Sequence, residues 1–136
     1  MKLIKTLATA VAFLASASLA SALDTKPPEY KPLTNLIGQA FKNVAKKDGS
    51  IVRCIVFPYD RQGDSEIDLL EFRVLKTTKE GYQTWEEHPY ILFVDDDFDG
   101  YADRLFIDHG KVRDGVFDDV QDLKNSNISM EEIYSR

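Results

Sequence analysis

The sequence predicts an α+β fold in which an N-terminal helix, an antiparallel sheet of about five strands and a C-terminal helix form one domain. Three observations predict it. The chain has 136 residues, enough for one domain, and 43% of them are apolar. Apolar residues recur at helical spacing near both ends of the part that follows the first 32 residues. Short β-branched and aromatic runs, separated by turn residues, occupy the middle.

The first 22 residues have the features of a secretory signal peptide. A short basic segment at positions 1–5 precedes an apolar stretch at positions 6–19, and the sequence ASA at positions 20–22 offers a cleavage site. The apolar stretch is shorter than the ~20 residues that span a bilayer, which favours cleavage over anchoring. We therefore expect a periplasmic or secreted protein that has no membrane partner after cleavage.

The predicted domain covers residues 33–136 and follows an extended, proline-rich leader at residues 23–32. Its first element is a predicted helix, because apolar residues between Leu33 and Ala45 recur every three or four positions. The pair Asp48-Gly49 is interpreted as the end of this helix, since glycine readily adopts a positive φ there.

Five strands are predicted after this helix. They cover residues 51–57, 67–75, 82–86, 90–94 and 105–107. The first is apolar on both faces, which is typical of a strand inside a sheet. Turn residues at positions 79–81 predict that the third strand pairs back on the second as a hairpin.

The C-terminal region is predicted to be helical in two parts. Asp114 is a candidate N-cap for the first part. The apolar residues that follow it at helical spacing are Val116, Phe117, Val120 and Leu123. Further on, Ser129 and Glu132 form a capping box, which predicts a last helical turn.

The charge of the chain is acidic and unevenly distributed. Lys and Arg number 17 against 23 Asp and Glu, a net charge of −6, and without the two lysines of the first 22 residues it becomes −8. Such a surface disfavours nucleic acid and anionic lipid as partners and favours a cation. Ten of the 23 acidic residues are aspartates between Asp95 and Asp122.

The front of this acidic segment has a regular spacing. Residues 95–103, here called the Asp loop, fit the pattern D-x-D-x-D-G-x-x-D. Carboxylates two positions apart in a tight loop can face one ion, and Gly100 permits the sharp bend. Without a cation the clustered carboxylates would repel one another, whereas Ca²⁺ accepts about six to eight oxygen ligands. The expected ligands are Asp95, Asp97, Asp99, Asp103 and the carbonyl oxygen of Tyr101.

The Asp loop resembles the calcium-binding loop of EF-hands and of relatives without flanking helices, as in dockerins, thrombospondin repeats and integrin-type propellers. The resemblance covers nine residues and not the fold. Position twelve, a bidentate glutamate in EF-hands, is Phe106, and predicted strands flank the loop. The resemblance therefore implies a strand-flanked calcium loop of weak affinity, about 10⁻⁴–10⁻³ M. Water, Asp108, Asp114 and Asp118 are candidates for the missing ligand.

No arrangement typical of an enzyme is found, so no catalytic residue is assigned. Serine–histidine–aspartate, phosphate-loop and dinucleotide signatures do not occur in the sequence. Cys54, the single cysteine, lies in an apolar strand and is interpreted as a buried thiol. Its alternative role, a nucleophile paired with His88 or His109, would require an accessible, electropositive site.

The leading hypothesis is an exported calcium-binding protein in which the ion has a structural role. The alternative is a secreted module that binds or inhibits a protein or a glycan through its sheet face, with the acidic loop incidental. A third hypothesis, an exported hydrolase that uses metal-bound water, requires a general base that the sequence does not identify.

Overall fold

The computed structural model describes residues 24–30 and 39–135. Within them the chain forms a seven-stranded antiparallel sheet and one short helix. The strands are β1 (Ala40–Ala45), β2 (Ile51–Tyr59), β3 (Leu69–Thr77), β4 (Gln83–Trp85), β5 (Ile91–Val94), β6 (Arg104–Ile107) and β7 (Asp119–Asp122), and the helix is α1 (Met130–Ser135). The predicted signal peptide, residues 1–22, lies outside the described residues. Within the described part, no helix is long and apolar enough to cross a membrane.

The strands follow the order β1-β2-β3-β5-β6-β7, and β4 joins the sheet through β3. β5 pairs with residues 69–72 of β3, and β4 pairs with residues 75–77 of the same strand. β5 and β6 form a hairpin in which Val94 lies opposite Arg104. This register places the Asp loop at the tip of the hairpin.

Side chains along each strand alternate between the two faces of the sheet, and an apolar cluster is buried on each face. On one face, Phe72 and Phe93 belong to a large apolar cluster that α1 covers with Met130 and Ile133. The smaller cluster on the other face consists of Tyr59, Leu69, Leu92, Val94 and Phe106. Tyr30 packs against this smaller cluster, so residues 24–30, here called the N-terminal segment, lie on that face.

The predicted N-terminal helix is wrong in the part that the structure describes, and residues 33–38 of it lie outside the described residues. Ala40–Ala45 form β1, in which Lys42 lies opposite Cys54 of β2. Gly49, at φ 87°, closes a hairpin turn instead of capping a helix. An Asp-Gly pair between two strands is a strong hairpin signal, and pairing with β2 overrides the helical spacing of the apolar residues.

The helix predicted after Asp114 is also wrong, because Asp119–Asp122 form β7 and pair with β6. Helical spacing would place Val120 and Leu123 on one face. In the structure Val120 packs against the smaller cluster and Leu123 belongs to the large one. A strand alternates its side chains in this way, and it also satisfies the backbone groups along the edge of β6.

The last helical turn is confirmed as α1, whose buried residues are Met130 and Ile133. The Ser129 hydroxyl oxygen accepts the Glu132 N–H at 3.3 Å, as the capping box requires.

The five predicted strands all form, with ends within two residues of those expected. The fold is therefore mostly antiparallel β with one short C-terminal helix, not α+β with two terminal helices, and its sheet has seven strands instead of about five.

Candidate metal centre

The loop between β5 and β6 brings four carboxylates together. One oxygen from each of Asp95, Asp97, Asp99 and Asp103 lies within 4.8 Å of the others. Asp95 and Asp103, at the two ends of the loop, are 1% and 4% exposed, whereas Asp97 and Asp99 face solvent. The spacing in the sequence therefore corresponds to a cluster in space, and this cluster could hold a metal ion.

The first half of the Asp loop folds back on Asp95. The carboxylate of Asp95 accepts the backbone N–H of Asp99 at 3.2 Å and that of Gly100 at 2.7 Å. Phe98 and Gly100 have positive φ angles of 59° and 92°, and these turn the chain around the cluster. Backbone hydrogen bonds within the loop thus bring the first and third carboxylates together.

The second half of the Asp loop is closed by Asp103. One oxygen of its carboxylate accepts the N–H of Asp96 at 2.7 Å and that of Asp97 at 3.1 Å. Because β5 ends just before Asp95 and β6 begins just after Asp103, the hairpin holds these two buried carboxylates side by side.

The exit of the Asp loop is attached to the segment that precedes α1. Backbone groups of Gly100 and Ala102 bond to that segment and place Tyr101 opposite Ser129 in an antiparallel bridge. Because the hydrogen bonds of this bridge are made by Gly100 and Ala102, the N–H and C=O of Tyr101 itself point away from Ser129. The Tyr101 N–H accordingly donates to Asp99 at 3.0 Å.

Two arginines lie beside the Asp loop without neutralising the cluster. Arg61 donates from Nε to Asp68 at 2.7 Å and from Nη2 to the backbone carbonyl of Asp95 at 3.0 Å. Arg104 forms a bidentate pair with Asp96 at 2.6 and 2.7 Å. Among the described residues, no basic side chain forms an ion pair with any of the four clustered carboxylates. A cation in the cluster would reduce the mutual repulsion of the carboxylates.

Burial changes the proton affinity of the cluster. Desolvation raises the pKa of Asp95 to about 7, although the N–H groups of Gly100 and Asp99 favour its charged form. Desolvation also raises the pKa of Asp103. For Asp97 desolvation acts in the same direction, but hydrogen bonds with the neighbouring carboxyl groups hold its pKa below the ordinary value. At neutral pH a proton would therefore compete with a cation for the oxygens of Asp95.

The four clustered side chains offer carboxylate oxygens, which are ligands that suit a hard divalent cation. Phe106, at the twelfth position, is fully buried in the smaller apolar cluster and provides no ligand. The other candidates, Asp108, Asp114 and Asp118, follow the opposite end of β6 and do not belong to the cluster. Asp108 instead accepts the N–H groups of Gly110 and Asp114 in a turn of its own.

Other titratable residues singled out in the sequence lie apart from the cluster. Cys54 is fully buried, and desolvation raises the pKa of its thiol to about 12. His109 pairs through Nε2 with Asp119 at 2.7 Å. Within the described parts of the chain, no hydrogen bond joins Cys54 to a histidine. The prediction of a buried thiol is confirmed.

Sequence reasoning missed the residues that support the loop from outside. The pairs Arg61–Asp68 and Arg104–Asp96 join residues seven and eight positions apart, across turns whose geometry the sequence does not specify. The one signal available was that both arginines stand within acidic stretches, which favours ion pairing but does not select the partner.

Comparison with known proteins adds no family: no protein-family model matches the sequence, and neither a curated protein nor a solved structure matches it. The class of protein is therefore defined by the fold and the site. It is a mostly antiparallel β protein with an Asp-rich hairpin loop that could hold a metal ion.

Proposed function

We propose that this chain is an exported calcium-binding protein and that one Ca²⁺ in the Asp loop has a structural role. The observation that carries the proposal is the convergence of four carboxylates within 4.8 Å, without a basic partner among the described residues. The ligands in this proposal are Asp95, Asp97, Asp99, Asp103 and the carbonyl oxygen of Tyr101.

Calcium is proposed over other metals on the chemistry of the donors. Oxygen ligands alone suit Ca²⁺, Mg²⁺ and Mn²⁺, whereas Zn²⁺ and Cu²⁺ favour imidazole or thiolate ligands. Mg²⁺ requires a small, nearly octahedral site and keeps several waters, while Ca²⁺ accepts about six to eight oxygens in flexible geometry. A loop that offers many carboxylates with two exposed members favours the larger ion, and water would complete its shell.

A structural role is proposed because the loop connects two parts of the fold. Its base belongs to the β5–β6 hairpin, and its exit bonds to the segment before α1. An ion that draws the carboxylates together would therefore fix the hairpin tip and the approach to the helix at once. The predicted signal peptide supports export to a compartment where calcium is abundant enough to fill a weak site.

Isothermal titration of the purified chain with CaCl₂ and MgCl₂ tests the proposal. Asp97→Asn removes one exposed ligand charge. We expect its calcium affinity to fall about tenfold or more, because the charge of the ligand set tunes affinity. Asp64→Asn, an exposed aspartate of the β2–β3 loop, is the matched control and should bind as the wild type does.

Two outcomes would contradict the proposal. One is a wild-type chain that binds no calcium at millimolar concentration, which would favour the protein- or glycan-binding module with an incidental loop. The other is equal calcium affinity in the wild type and in Asp97→Asn.

A further inference from the structure

Arg104 lies between the Asp loop and the N-terminal segment and is bonded to both. Its Nε and Nη2 donate to the two carboxylate oxygens of Asp96 at 2.6 and 2.7 Å. Its Nη1 donates to the backbone carbonyl oxygens of Asp24 and Lys26 at 3.0 and 2.8 Å. The buried guanidinium also lies over the ring of Phe106, 4.9 Å from its centroid. Because the guanidinium is planar and rigid, one orientation serves both partners.

The N-terminal segment has a second anchor at its other end. The hydroxyl of Tyr30 donates to the carboxylate of Glu71, and its ring packs edge-on against Tyr59 at 4.9 Å. Glu71 is 1% exposed and also accepts the Tyr59 hydroxyl at 3.2 Å and Arg73 Nε at 2.7 Å. The segment is therefore held at both ends over the smaller apolar cluster, and Arg104 connects one of these ends to the Asp loop.

We propose that cation binding in the Asp loop and docking of the N-terminal segment stabilise each other through Arg104. The inference rests on the proposed function. Asp96 stands between the ligands Asp95 and Asp97, so its position follows theirs. A bound cation reduces the repulsion among the neighbouring carboxylates and so stabilises the loop conformation in which Asp96 pairs with Arg104 and the guanidinium reaches both backbone carbonyls. Such coupling is reciprocal. The factor by which a bound cation raises the equilibrium constant for docking equals the factor by which docking raises the affinity for the cation.

Limited proteolysis measures docking directly. A protease that cleaves after glutamate can cut the bond that follows Glu29, an exposed residue of the N-terminal segment, when the segment is open. Saturating calcium is expected to slow this cleavage about fivefold, the lower end of ordinary allosteric coupling. Cleavage after Glu80, in the exposed turn before β4, is the internal control and should keep its rate. Asp96→Asn leaves the proposed ligands in place and should abolish the protection of Glu29.

The reciprocal effect is measured at the distant anchor. Tyr30→Phe removes the hydrogen bond to Glu71 without touching the Asp loop, and we expect calcium affinity about fivefold lower by titration calorimetry. Tyr82→Phe, at a tyrosine that is 72% exposed, is the matched control and should not change affinity.

The outcomes separate the two proposals. A wild-type chain that binds no calcium overturns the proposed function and this coupling with it. A wild-type chain that binds calcium but is cleaved after Glu29 at one rate, with and without the ion, overturns the coupling alone. That measurement needs no variant, so it decides the question even if Tyr30→Phe or Asp96→Asn folds poorly.

Discussion

Gly100 donates its backbone N–H to Oδ2 of Asp95 at 2.7 Å, so the sixth residue of the Asp loop closes back on the first. Gly100 has a φ of 92°, where a side chain is strained. A Cβ added there would meet no atom within 4 Å, so the requirement for glycine comes from the backbone and not from crowding. The same hydrogen bond favours the charged form of Asp95. Gly100 therefore contributes both to the closure of the loop and to the charged form of Asp95.

Gly100→Ala is expected to lower the free energy of unfolding by about 1–2 kcal/mol and to weaken calcium binding. Urea unfolding and titration calorimetry measure the two effects. Gly63→Ala is the matched control, because Gly63 also has a positive φ, 78°, and open space for a Cβ, but lies in the β2–β3 loop. It should show the stability loss alone. Wild-type calcium affinity in Gly100→Ala would contradict the closure of the loop through Gly100.

Calcium removal is expected to lower the free energy of unfolding of the whole chain. An ion that binds only the folded state stabilises it by RT ln(1 + [L]/Kd), about 2.7 kcal/mol at 100 times Kd. Urea unfolding in calcium and in chelator measures the difference, and in Asp97→Asn, which binds about tenfold more weakly, the difference should shrink to about 1.4 kcal/mol. A urea midpoint of the wild type that does not change in millimolar calcium would contradict a structural role of the ion.

The stability of the calcium-free chain is expected to fall as the pH rises. Desolvation raises the pKa of Asp95 from 3.8 to about 7, so the folded state holds this proton more tightly than the unfolded state does. The resulting stabilisation is complete below pH ~4 and is lost as the pH rises through about 7. Saturating calcium binds the ionised carboxylate and should reverse the trend.

Urea unfolding of the metal-depleted chain at pH 5 and at pH 8 tests this dependence. Asp95→Asn keeps an oxygen for the Gly100 N–H, lacks the titrating proton, and should flatten the difference. Higher stability at pH 8 than at pH 5 in the metal-free wild type would show that the sign is wrong.

The central strands and the Asp loop were predictable because their signals are local. β5 is a continuous apolar run, and in the structure all of its residues are buried between the two clusters. The four clustered aspartates lie within nine consecutive residues, and hydrogen bonds from Gly100 to Asp95 and from Asp96 to Asp103 stay within the loop. A site built from neighbouring residues can be predicted without knowledge of the fold.

The terminal elements were not predictable in the same way, because their partners decide their conformation. β1 and β7 carry apolar residues at spacings that also fit a helix, and each became a strand by pairing with β2 or β6. The contact of Arg104 with the N-terminal segment was missed for the same reason. Arg104 donates to the carbonyl oxygens of residues 24 and 26, which lie 80 and 78 positions away in the chain.

Cys54 is expected to be chemically silent in the folded protein. It lies in β2 with 0% exposure, in the large apolar cluster, and desolvation raises the pKa of its thiol to about 12. Because the thiolate is the reactive species, a disulfide reagent at pH 8 should not modify the native chain over hours and should react at once in urea. Ellman's assay with and without denaturant measures the difference. Rapid modification of the native chain would mean that the core opens around β2. It would contradict the interpretation of Cys54 as an unreactive buried thiol.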